Sequence, residues 1–197
     1  MPLTRACWED NRTGGNHMWM KLNLSGITLR FRVREYQKSQ KDDWDSNWCK
    51  TDCSFVAEPW LNYCQTGAEI LLAYEVEKLA NKMEELLTCG RVSSEVLQCI
   101  EPDFHFIFHP KEDLTTNPNI LYVAPGCEIE DIHLEWKVLF WNGGQPTGNY
   151  LSVTLSRPDI EHFLIYLQWI LGTRTIGDEE IQKRIARNIF FEDASMH

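Results

Sequence analysis

Three histidines and a glutamate are the side chains here best suited to chemistry: His105, His109, His133 and Glu135. Imidazole nitrogens ligate metals and move protons near neutral pH, and a carboxylate can complete either kind of site. Their spacing limits them. His105 and His109 lie in Phe104-His105-Phe106-Ile107-Phe108-His109, whose alternation is that of a strand. There the two rings share a face but stand about 13 Å apart, too far to chelate one ion directly. His133 and Glu135 belong to another alternating run and would have to join one of them across a sheet. Glu101 and Asp103 are nearby in sequence. The competing reading is plain: solvent-facing residues on an open sheet.

Nucleophilic catalysis finds no motif. GxSxG, HExxH and a glycine-rich phosphate loop are absent, and Gly143-Gly144 is an isolated hairpin turn. The seven cysteines, Cys7, Cys49, Cys53, Cys64, Cys89, Cys99 and Cys127, are odd in number and form no CxxC pair. Cys49 and Cys53 share a strand face about 13 Å apart, which excludes a direct disulfide between them. No catalytic residue and no cofactor is assigned.

A second kind of chemistry is recognition. Eight residues are Trp, a high number for 197, and aromatics are enriched where proteins bind one another. Trp44, Trp48, Trp60 and Tyr63 would make an aromatic patch for a protein partner if exposed. The alternative is burial at the margin of the sheet. The net charge of −10 repels phosphate backbones and attracts basic partners, so nucleic acid is disfavoured. No apolar run approaches the ~18 residues of a membrane span, and no secretory h-region follows the N-terminus. The thiols are read as reduced and mostly buried in a cytoplasmic protein.

Periodicity places these residues. From Met20, Leu22 and Leu24 alternate, Ser25-Gly26 interrupts, and Ile27, Leu29, Phe31 and Val33 share a face, predicting two strands round a tight turn. Arg30, Arg32 and Arg34 line the opposite face, read as partners of sheet carboxylates or, alternatively, as a phosphate or acidic-ligand site. Trp44-Asp45-Ser46-Asn47-Trp48 reads as a turn. Cys49 to Phe55 is a third strand, and Glu58-Pro59-Trp60 ends or kinks it. Residues 66–73 read two ways: Thr66-Gly67-Ala68-Glu69 has the form of a capping box, while Ile70-Leu71-Leu72-Ala73 suits a short buried strand. Glu75 to Leu87 is a helix with Val76, Leu79, Ala80, Met83, Leu86 and Leu87 on its apolar stripe.

Further strands are expected at Val96–Ile100, Phe104–His109, Leu121–Val123, Ile129–Trp141 and Tyr150–Leu155. Ser156-Arg157-Pro158-Asp159 opens a helix, with Ser156 at the N-cap, Pro158 in the first turn and Asp159 at N3. A last helix over Asp178–Asn188 either docks on the domain or awaits a partner. Hairpin-like connections outnumber strand-helix-strand crossovers. The fold class is therefore α+β: a mainly antiparallel, curved β-sheet with helices packed on one face. Residues 1–19 lack periodicity and are expected to be a disordered or non-native extension ahead of a start at Met18 or Met20. Residues 20–172 form one domain, and residues 173–197 a C-terminal helix and tail.

Three segments carry a resemblance: Trp44-Asp45-Ser46-Asn47-Trp48 after the basic hairpin, Glu101-Pro102-Asp103-Phe104-His105-Phe106 after the first helix, and Leu155-Ser156-Arg157-Pro158-Asp159-Ile160 opening a late helix. In this order they resemble the WapI-type family of small bacterial immunity proteins and its relatives, over Met20 to Leu171. The resemblance implies a curved antiparallel sheet with helices against it. It also implies a protein that binds and neutralises a toxin, for which the acidic charge points to a basic toxin domain, and it brings no catalytic residue. The N-terminal extension, the helix after Gly172 and the cysteine content depart from the pattern. Two further expectations compete with this one: a metal protein or enzyme using His105, His109, His133 and Glu135, and a homo-oligomer assembled through a sheet edge or the last helix.

Overall fold

The structure is a computed structural model that describes residues 17–37, 48–88 and 93–192. Eleven strands and three α-helices are present among the described residues. The first sheet contains β1 (Met18–Leu24), β2 (Ile27–Glu35), β3 (Trp48–Ala57), β4 (Leu61–Leu72) and β11 (Phe190–Glu192), in the order β11-β1-β2-β3-β4. The second contains β5 (Glu95–Gln98), β6 (Phe104–His109), β9 (His133–Asn142) and β10 (Gln145–Ser156), in the order β10-β9-β6-β5. Strands β7 (Glu112–Asp113) and β8 (Ile129–Glu130) pair only with each other. Every pairing is antiparallel. Helix α1 (Ala73–Thr88) links the sheets, α2 (Arg157–Ile170) follows β10, and α3 (Glu179–Ala186) precedes β11. This is an α+β fold in which α1 and α2 pack on each other and on both sheets.

Local chemistry explains the first hairpin. Ser25 and Gly26 both have positive φ, 52° and 93°, as a two-residue turn matched to the twist of its strands requires. The Gly26 amide donates to Asn23 Oδ1 at 3.1 Å. Strand β1 begins at Met18, two residues before the alternation was read to start, and Met18 and Trp19 are both buried. Of the expected N-terminal extension, residues 1–16 lie outside the described residues.

Residues 66–72 are strand, which resolves the double reading of that segment against the capping box. Lys50 pairs with Glu69, Thr51 with Ala68 and Cys49 with Leu71, so the ladder holds β4 extended to Leu72. Gly67 has φ +61° within the register shift between Thr51 and Cys53, and its amide donates to Asp52 Oδ1 at 2.7 Å. The helix starts only at Ala73. Its buried Glu75 then clamps two segments, accepting from the Leu72 amide at 2.9 Å and the Ile100 amide at 2.7 Å. Glu75→Ala strips both amides of this acceptor and is expected to cost about 2–3 kcal/mol, read from urea unfolding. A cost below ~0.5 kcal/mol would show that the clamp contributes little.

Other boundaries also moved. Leu121–Val123 is not a strand, because no neighbour pairs with it. The run Ile129–Trp141 breaks at Asp131-Ile132, where Asp131 turns to Arg157 and Ile132 enters the core. At the C-terminus, Ile181 of α3 is buried in the core. Strand β11 was not anticipated: Phe190, Phe191 and Glu192 pair with Met20, Trp19 and Met18.

One residue joins the layers. Trp136 of β9 touches Phe31 and Phe55 of the first sheet, Phe104 and Phe106 of the second, and Phe163 of α2, with ring centroids 5.0–5.6 Å apart. Tyr166 ties α2 to the first sheet, its hydroxyl donating to the Met18 carbonyl and accepting from the Val33 amide. Ser156 and Asp159 form the capping box expected from the sequence.

The arginine stripe meets a carboxylate and aromatic rings. Arg32 and Arg34 both reach Asp52 Oδ2, at 2.7 and 2.5 Å. Arg32 also lies 4.3 Å over the Trp19 ring, and Arg30 lies 5.9 Å over Phe191.

Candidate functional site

Strands β6 and β9 run side by side with His109 opposite His133, Ile107 opposite Glu135 and His105 opposite Lys137. Alternation sends Phe104, Phe106, Phe108, Leu134, Trp136 and Val138 inward and these polar residues outward. His109 and His133 stack, with ring centroids 4.3 Å apart. Glu135 reaches His109 Nε2 at 3.8 Å, beyond hydrogen-bond distance. Its carboxylate is engaged elsewhere: Oε1 accepts from Ser152 Oγ at 2.6 Å and faces Lys137 Nζ at 3.3 Å. Burial works to raise the Glu135 pKa, but these two donors outweigh it and the value is lowered.

His109, His133 and Glu135 thus come together, and His105 does not. His105 lies beside Lys137, and its buried Nε2 has no hydrogen-bond partner in the described structure. Among the described residues no three His, Cys, Asp or Glu side chains are arranged to hold a metal ion.

The histidines make stability pH-dependent. Burial is the main force lowering the pKa of His105, His109 and His162, reinforced by Lys137, His133 and Arg184 respectively. Each binds its proton more weakly folded than unfolded. Their contribution is therefore complete above the unfolded value of about 6.5 and is lost as pH falls below it. Asp131 and Glu180 are held down to about 2, each chiefly by an arginine hydrogen bond, from Arg157 and Arg184. Carboxylate stability of that kind is lost only below about pH 4, so the two windows separate. Melting temperature is expected to drop between about pH 7 and pH 5, with a shallower drop for His105→Gln. A flat profile across that range would remove the histidines as its cause.

The thiols are not poised for attack. Cys49 is pushed up to about 12 by burial and then by Glu75, and burial also raises Cys53 and Cys99. None of the five described cysteines is in a disulfide, and Cys127 is exposed. Cys7 and Cys89 lie outside the described residues.

The aromatic candidates separate. Trp44 lies outside the described residues. Trp48, half-buried, opens β3 opposite Leu72. Trp60 is 68% exposed in the turn from Glu58 to Trp60. Tyr63 is half-buried, its ring 6.3 Å from Phe55 and 5.3 Å from Phe140, and burial raises its phenol pKa. Trp60 and Tyr63 share a hairpin, while Trp48 stands at the other end of β3, about 30 Å away at the rise of a strand.

A further surface was missed from the sequence. Between β6 and β9 the chain projects an arm, residues 110–131, built on the β7–β8 pair. Its base is held by a bidentate Arg157–Asp131 contact at 2.8 and 2.9 Å. Along it, Asp113 accepts from the Thr115 amide and hydroxyl, Glu112 from Asn117 Nδ2, and Glu128 from the Gly126 amide. At its far end Leu121 is fully exposed, and Ile120, Tyr122 and, nearer the base, Ile129 are exposed as well. The signal is the apolar run Ile120-Leu121-Tyr122-Val123 between Pro118 and Pro125, of which Leu121–Val123 reads as a strand in the sequence.

Comparison with known proteins gives one family. The family model described as the immunity protein WapI-like family matches residues 20–173. No curated protein matches significantly. Among solved structures, the crystal structure of WHY1 from Arabidopsis thaliana aligns over 86% of this chain and 91% of that chain. Its identity is 8% and its TM-score 0.34, too low to support any conclusion.

Proposed function

The chain belongs to the immunity protein WapI-like family, and from that membership we propose that it is a non-enzymatic cytoplasmic protein that binds and neutralises a cognate bacterial toxin. The family match over residues 20–173 carries this reading. The net charge of −10 favours a toxin domain with a basic surface and disfavours nucleic acid as the direct partner. No described helix is long and apolar enough to cross a membrane. Trp60 supplies an exposed aromatic anchor beside the half-buried Tyr63, while Trp48 stands at the far end of β3.

The test is direct. The full chain is mixed with the purified toxin domain encoded by the neighbouring reading frame, and association is measured by calorimetry and size exclusion. Co-expression is then scored for rescue of growth. A stable complex with rescue is expected. Absence of both would remove the reading.

A further inference from the structure

The arm of residues 110–131 does nothing visible for the fold beyond its base. None of its residues is buried. It nevertheless carries Ile120, Leu121, Tyr122 and Ile129, which the rest of the chain leaves exposed. A connection of this length between adjacent antiparallel strands far exceeds the usual two to five residues of a hairpin loop, and loops beyond roughly 12–15 residues are mostly functional or disordered. This one is ordered by its own bonds: the β7–β8 pair, the Leu114 amide on the Glu128 carbonyl, the Ile120 amide on the Asn117 carbonyl, and the Arg157 clamp at the root. Loop tips that only connect are small and polar. This one holds a contiguous apolar triplet, with Tyr122 76% exposed.

Its charge is as one-sided as its tip is apolar. The arm holds five carboxylates, Glu112, Asp113, Glu128, Glu130 and Asp131, against the single Lys111. Asp131 is matched by Arg157, and Glu130 lies 3.8 Å from His133. Glu112, Asp113 and Glu128 form no ion pair among the described residues. Glu112 bonds Asn117 and Glu128 bonds Gly126, so the free charges flank the segment that carries the apolar tip.

We propose that this arm is the element that docks the protein partner, inserting Leu121 and Tyr122 into an apolar depression while Glu112, Asp113 and Glu128 meet a basic rim. The inference rests on the toxin-neutralising reading above and adds to it the docking element and the partner's chemistry. Apolar anchors within a charged surround are the anatomy of a hot spot with electrostatic selection. A second copy of this chain is disfavoured, because arm against arm would bring like charges together. Anionic membranes and nucleic acid are disfavoured for the same reason.

The experiment compares three full-length proteins against the same purified toxin domain: wild type, Leu121→Ser/Tyr122→Ser, and Glu112→Lys/Glu128→Lys. The substituted side chains are exposed, so all three should melt together. The apolar double variant is expected to lose roughly 30-fold or more in affinity. The charge reversal is expected to slow association about tenfold at low salt, the difference shrinking near 0.5 M salt. Wild-type binding with the apolar variant within about twofold of it would overturn the arm as docking element. An unchanged association rate for the charge reversal would overturn the basic rim. A wild-type dimer made monomeric by the apolar variant would assign the arm to self-association instead. Failure of the wild type itself to bind would remove the immunity reading and this inference with it.

Discussion

Asp52→Ala is expected to cost about 3–5 kcal/mol in urea unfolding, a large share of what a domain of this size has to lose. The Asp52 side chain is fully buried in β3 and holds three donors. Oδ2 takes Arg32 and Arg34, and Oδ1 takes the Gly67 amide. Arg32 is only 2% exposed, so removing the carboxylate takes a directly bonded anion from a buried cation. The same change frees the Gly67 amide at the register shift in β4. Two controls make the cause visible. Asp52→Asn keeps an acceptor for Gly67 and loses the charge, so its cost should fall between those of wild type and Ala. Pairing Asp52→Leu with Arg32→Met removes both charges and should recover most of the loss, as apolar replacement of buried ion pairs does. A double variant no better than Asp52→Ala would show that the loss is one of packing.

Trp136→Ala is expected to cost a similar ~3–5 kcal/mol by a different route. It empties a position where both sheets and α2 meet, leaving Phe31, Phe55, Phe104, Phe106 and Phe163 facing a void. Small residues cannot close such a gap, because close-packed interiors relax only in part. Trp136→Phe is the informative partner. The indole Nε1 is buried without a hydrogen-bond partner in the described structure, so Phe removes an unsatisfied donor as well as volume. Its cost should be no more than about 1.5 kcal/mol. Equal losses for Ala and Phe would point to a specific role of the indole nitrogen. Both Asp52 and Trp136 lie away from the arm, so a folded variant at either position should retain partner affinity.

Much of the framework was legible because it is local. Alternation at Ile27–Val33, Phe104–His109 and His133–Trp141 marks strands whatever they pair with, since successive side chains point to opposite faces. Ser156, Pro158 and Asp159 announced α2 because capping is settled within four residues. Residues 66–72 could not be assigned, because a capping box and a buried strand look alike until a neighbour is known. Pairing with Cys49, Lys50 and Thr51 decided for the strand. Strand β11 was invisible for the same reason: three residues carry no period, and only β1 makes Phe190–Glu192 extended.

The candidate sites divide along the same line. Residue types alone singled out the histidines and the aromatics. Register then placed His109 against His133 and His105 against Lys137, and the length of β3 separated Trp48 from Trp60. A strand is expected at Leu121–Val123 because hydrophobicity normally signals burial. Whether an apolar run is covered depends on what the rest of the chain brings to it, and here it brings nothing.

Composition, capping and periodicity therefore determined the α+β class and the acidic character from the sequence alone, because these depend on near neighbours or on totals, while three short segments in order carried the resemblance to the family. Which side chains touch, which cation each carboxylate meets and which apolar segment is left to solvent are long-range pairings. Those were decided by the closing of β1 on β11, of β3 on β4 and of α2 on Trp136.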